Sequence, residues 1–246
     1  MQKNTNQPIP MPQLQRRRRP APVLRFCPTA WAKLLFFRDR GDTEIGGFGI
    51  TDAEDLLYVR EFVSVRQSVT MASISFDDQS VADYFDQQVD AGNKPEQFAR
   101  IWLHTHPGYS PEPSGTDEAT FLRVFGNCQW ALMFIMAQDG KTYARLRFNI
   151  GPGGSLLIPV EVDYSQPFMD SDFAAWEMEY QAHIQPYTWP ENTLQTKLEL
   201  EKPFTDLALP TDIIQQLEMM DPAERIAIMD ELSGRPDLWN EEELYL

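Results

Sequence analysis

Ile101-Trp102-Leu103-His104-Thr105-His106-Pro107 opens the stretch that decides how this chain folds, and Ser114-Gly115-Thr116-Asp117 closes it. Apolar residues crowd the approach to the histidines, which predicts a strand over 98–104. Strand side chains alternate faces with a period of two, so His104 and His106 point the same way. The Gly/Pro/Ser-rich run 107–115 reads as a loop, and 117–125 as a helix with Gly126-Asn127 as its stop signal. Two imidazoles and the carboxylate of Asp117 then make a set of two nitrogens and one oxygen. That set suits zinc and leaves a fourth tetrahedral position open, as catalytic rather than structural ions require.

Upstream, Trp31 to Phe37 combines good helix formers with apolar residues at helical spacing, and Thr29 is placed to cap a helix ending near Gly41. Glu44-Ile45-Gly46-Gly47-Phe48-Gly49-Ile50 reads as a short strand whose glycines leave room for another backbone or a ligand. Two further strands are expected over 56–65 and 70–76. An amphipathic helix is expected over 79–90, with Val81, Tyr84, Phe85 and Val89 on one face and Gly92 near its end. Downstream, Asp139-Gly140 between the apolar runs 130–136 and 141–149 signals a hairpin. The glycines of 151–154 form a loop without the Lys-Ser/Thr of a phosphate loop, and 156–162 reads as one more strand. The sum is an α+β domain over residues 23–164, a mixed sheet flanked by helices.

The 246 residues, 42% hydrophobic and 12% aromatic, suffice for one well-cored domain with appendages. No apolar run approaches the roughly 20 residues that cross a bilayer. Residues 1–22 hold five prolines and the run Arg16 to Arg19, which predicts a disordered tail without a secretory signal and hence a cytoplasmic protein. Cys27 and Cys128 are too few for a disulfide framework and read as ordinary thiols. The net charge of -16 is uneven: residues 165–246 carry four Lys/Arg against 18 Asp/Glu, leaving only -2 for residues 1–164. That acidic segment reads as a mainly helical extension, with helices over 172–183, 213–220 and 223–232. Its field repels nucleic acid and anionic membrane and favours a partner with a basic face.

The full spacing is His104-x-His106-x7-Ser114-x2-Asp117, with Glu44 on a strand 60 residues before His104. This pattern resembles the JAMM signature of JAB/MPN-domain zinc metalloproteases, over roughly residues 25–163. The resemblance implies a JAB/MPN-type mixed sheet with flanking helices, of the cytidine-deaminase-like kind. It implies one zinc per chain on His104, His106 and Asp117, with Glu44 as general base and Ser114 as a donor to the oxyanion. It further implies an isopeptidase of the prokaryotic type, cutting an amide bond after the C-terminal tail of a ubiquitin-like protein, either in deconjugation or in precursor processing. The stretch 65–94 and the loop 149–155 are then the expected places for substrate-contacting insertions. Glu118 is set aside as a ligand because the spacing selects Asp117, and His183 falls outside the resemblance. Trp102 and Tyr109 are candidates for the cleft wall, or core. Two alternatives share part of the pattern: a RadC-like protein associated with nucleic acid, which the acidic segment disfavours, and a metal-free MPN scaffold, which would lack ligands that are all present here.

Overall fold

A computed structural model of the chain describes residues 21–187. Most of the expected N-terminal tail, the helices expected over 213–220 and 223–232, and most of the acidic segment with its docking role lie outside the described residues. In chain order the elements are β1 (Leu24–Phe26), α1 (Pro28–Arg38), β2 (Ile45–Thr51), β3 (Tyr58–Val63), β4 (Gln67–Val69), β5 (Ile74–Phe76), α2 (Asp78–Asp90), α3 (Pro95–Phe98) and β6 (Ile101–His106). They continue as α4 (Gly115–Phe125), β7 (Trp130–Ala137), β8 (Thr142–Phe148), β9 (Gly154–Leu157), β10 (Val160–Val162), α5 (Phe173–His183) and β11 (Ile184–Pro186). None of the described helices is long and apolar enough to cross a membrane.

Side-chain caps set where the helices begin. Cys27, not Thr29, caps α1: its thiol accepts from the Ala30 amide at 3.3 Å, and Pro28 fills the first turn, where no amide partner is needed. Thr29 instead donates to the Met169 carbonyl. Asp77 caps α2 by accepting from the Ser80 amide at 2.8 Å. The strand expected over 98–104 begins later and runs to His106, because Pro95 starts the short helix α3 and takes Phe98 out of extended backbone.

Eight strands form one mixed sheet in the order β10-β1-β3-β2-β6-β7-β8-β9. β6 and β7 run parallel at its centre, while β2 and β8 flank them antiparallel. The single strand expected over 156–162 is in fact two. β9 and β10 follow one another in sequence yet occupy opposite edges, joined only by Ile158-Pro159. So short a link requires the sheet to curl until its edges approach, and Ile158 donates to the Ala144 carbonyl on one side while Leu24 donates to the Pro159 carbonyl on the other. A second sheet, β11-β4-β5, stands beside the first, so only the end of the strand expected over 70–76 is extended.

Alternation on the buried strands divides the core in two. Ile101 and Leu103 of β6 join Leu34 and Phe37 of α1, Phe134 of β7 and Trp176 of α5. Trp102 turns the other way, to Phe121 and Phe125 of α4, Tyr84 of α2 and Met133 and Ile135 of β7. The period of two therefore carries His104 and His106 to the α4 side. Beyond residue 164, α5 packs on α1, Glu177 holds Arg40 just past the end of α1 through two bonds of 2.6 and 2.7 Å, and β11 pairs with β4.

The room left by the glycines of β2 is filled by the protein itself. A Cβ at Gly47 would stand 2.3 Å from the Val63 carbonyl oxygen and 2.6 Å from the Phe62 ring. Gly47→Ala is therefore expected to push β3 off β2 and to cost about 1–3 kcal/mol, as overpacking does. A lower urea midpoint at unchanged slope measures this.

Candidate metal centre

Register, not sequence proximity, assembles the site. In the antiparallel β2–β6 pair, Ile45 faces Thr105 and Gly46 faces His104, so the residue before β2, Glu44, falls opposite His106. Its Oε1 lies 3.6 Å from His106 Nε2, and the carboxylate is buried. Gly46 shares the histidines' face, and the room above it is taken by Ile74 and Phe76 of β5. Beyond the point where β3 stops, the Gln67 carboxamide substitutes for a strand on the outer edge of β2, bonding both the amide and the carbonyl of Gly46 at 2.8 Å.

Asp117 arrives from the first turn of α4. Ser114 caps that helix, accepting from the Asp117 amide at 3.1 Å, while the Asp117 carboxylate takes bonds from the Ser114 amide at 2.7 Å and hydroxyl at 2.8 Å. This reciprocal box locks the rotamer of Asp117 and turns its oxygens to the histidines. Oδ1 lies 3.3 Å from His104 Nε2 and Oδ2 3.4 Å from His106 Nε2. One ligand atom from each of His104, His106 and Asp117 lies within 4.8 Å of the others, and all three residues are buried.

The donor chemistry fits a metal ion. Both Nε2 atoms are buried without a hydrogen-bond partner, which no protein arrangement leaves uncompensated at low cost. His106 is fixed from behind by Nδ1, 3.0 Å from the Ser110 carbonyl, which leaves Nε2 as the atom it offers toward Asp117. Burial drives the His104 pKa below its ordinary value, against the pull of Asp117, and keeps the imidazole neutral. Burial alone would raise Asp117, but the nitrogens of His104 and His106 and the Ser114 hydroxyl outweigh it and hold the carboxyl well below the usual range. Imidazole nitrogens and a carboxylate oxygen are donors that a divalent ion takes. The group can hold one ion; its donors admit zinc without singling it out.

The structure brings Glu44, His104, His106, Ser114 and Asp117 into one place. Glu118 turns away from it to a two-pronged pair with Arg145, both bonds 2.6 Å. Trp102 is core, stacked on His104, and Tyr109 is exposed on the loop between β6 and α4. The Ser110 carbonyl and Gln67 are supports that no motif marks. A backbone oxygen has no residue-type signature, and a glutamine replacing a strand is visible only once the strand's end is known.

His183 lies elsewhere, its Nδ1 2.9 Å from the Ser64 hydroxyl, which also bonds Glu179, the partner of Lys33. Burial lowers its pKa more than Glu179 raises it. With the folded value below the unfolded one, the unfolded chain takes up the proton first, so stability falls as pH drops through about 6.5. His183→Asn is expected to flatten that fall between about pH 7 and 5, read from urea unfolding at each pH. No protein-family model and no curated protein matches the chain, so what the centre does rests on its donor atoms and their surroundings.

Proposed function

We propose that the chain is a JAMM-type zinc isopeptidase built on a JAB/MPN-like domain, hydrolysing the amide bond that follows the C-terminal tail of a ubiquitin-like protein. The observation that carries this reading is Glu44. A second buried carboxylate stands beside the three ligands and outside their group, where hydrolysis needs a base. Zinc held by His104, His106 and Asp117 supplies Lewis acidity, which brings a water proton within reach of a carboxylate base near neutral pH.

Each of the chain's own groups then has a task. Glu44 takes the proton of the attacking water and passes it to the leaving amine, remaining a carboxylate at the end of the cycle. Ser114, whose amide keeps Asp117 in place, turns its one hydroxyl proton from the Asp117 carboxylate to the developing oxyanion, a contribution of about 3 kcal/mol for comparable donors. β5 is an edge strand of the small sheet, and its Ile74 and Phe76 overhang the residue opposite His104. An extended tail pairing along β5 would bring its scissile carbonyl toward the centre, main-chain bonds supplying affinity and alternate side chains specificity.

The test is metal-dependent cleavage of a ubiquitin-like protein fused through its C-terminal tail to a reporter. Cleavage should cease after chelation and return with one equivalent of zinc. A zinc-loaded protein that cuts neither linear fusions nor lysine-linked conjugates would overturn the substrate assignment.

A further inference from the structure

We propose that Trp102 is the positioning residue for His104, holding the imidazole by stacking where His106 is held by a hydrogen bond. This rests on the metal-centre reading above. Metal-ligating imidazoles ordinarily give their second N–H to an acceptor, and loss of that partner weakens metal binding about 10–100-fold. His106 has its acceptor in the Ser110 carbonyl. His104 has none: its Nδ1 is buried and without a partner. What His104 has instead is the indole of Trp102, with ring centroids 4.3 Å apart and planes 24° from parallel. That is an offset stack, and it follows from two residues of β6 sharing one face.

The indole is itself held. It lies near parallel to Phe121 and Phe125, at 15° and 22° with centroids 6.5 Å away in both cases. Both rings belong to α4, the helix that presents Asp117. One slab of aromatic rings therefore runs from the histidine ligand on the strand to the helix carrying the carboxylate ligand, and sets how far apart they stand. Trp102 gains nothing here from its polar atom, since Nε1 is also buried without a partner. What it contributes is its face, which a leucine filling the same core space would lack.

The experiment compares the wild type with Trp102→Phe, Trp102→Leu and Phe98→Leu, the last altering the same core at a ring that packs on Tyr84 and Phe85 instead. Zinc affinity is measured by competition with a chromophoric chelator, and ligand geometry by the visible spectrum of bound cobalt. Trp102→Leu is expected to weaken zinc binding at least about tenfold and to alter the cobalt spectrum. Trp102→Phe, which retains a ring to stack, is expected to recover most of both. Phe98→Leu should lower the melting temperature while leaving affinity and spectrum unchanged, which separates positioning from loss of core packing. Zinc should also shift the tryptophan emission of the wild type, and that shift should vanish in Trp102→Phe. Wild-type affinity and spectrum in Trp102→Leu would overturn the proposal and leave the metal centre standing; should Trp102→Leu not fold, a wild-type tryptophan emission that bound zinc leaves unshifted does the same. A wild type that binds neither zinc nor cobalt would overturn both.

Discussion

Glu44→Gln is expected to lower hydrolysis by about 10²–10⁴-fold, the range for removing a positioned general base, while zinc binds as before. The substitution keeps the volume and one acceptor oxygen but removes the ability to take a proton. Glu44 neighbours His106 at 3.6 Å and is separate from the three-ligand group, so metal content should stay at one equivalent per chain. The measurement pairs metal analysis of both purified proteins with single-turnover cleavage of the fusion substrate. Full activity in the variant would remove Glu44 from the base role; loss of zinc would mean that it is a ligand and not a base.

The second large effect is on stability. A ligand that binds only the folded state stabilises by about 2.7 kcal/mol at a free concentration one hundred times its dissociation constant. For a chain of this size that is a rise of roughly 5–10 °C in melting temperature. Zinc is expected to produce this rise in the wild type and none in Asp117→Ala. The variant should also be less stable without metal, by about 1 kcal/mol, because Asp117 accepts from the Ser114 amide and so forms half of the α4 cap. Asp117→Asn, which keeps an acceptor for that amide, should recover part of the apo stability but little of the zinc-dependent rise. A full zinc-dependent rise in Asp117→Ala would place the ion elsewhere.

Legibility in the sequence follows the range of the interactions. The shared face of His104 and His106 needs only the period of a strand, and the helix that carries Asp117 needs only the loop before it and the Gly126-Asn127 stop after it. Both are local, and both stand in the structure. Thr29 misled as the cap of α1 because the cap preference ranks Thr far above Cys, yet Pro28 sets the first turn one residue earlier and leaves position 27 to the cap. The run 156–162 misled because β propensity continues through it, while Pro159, without an amide to donate, marks where the chain leaves one edge of the sheet for the other. The glycines of β2 were legible as close approaches but not as to what approaches them.

By itself the sequence determined which side chains can bind an ion, since residue type and short spacing dictate donor atoms and the face they share. It also determined the mixed character of the fold, because helical and strand periods alternate along the chain. Only the tertiary structure decided that Glu44 stands opposite His106, that Gln67 completes the edge of β2, and that one imidazole leans on an indole while the other is tied to the Ser110 carbonyl. These depend on strand register and on packing between elements far apart in the chain. A shift of one residue in the β2–β6 pairing would turn Glu44 to the opposite face without altering a single local preference.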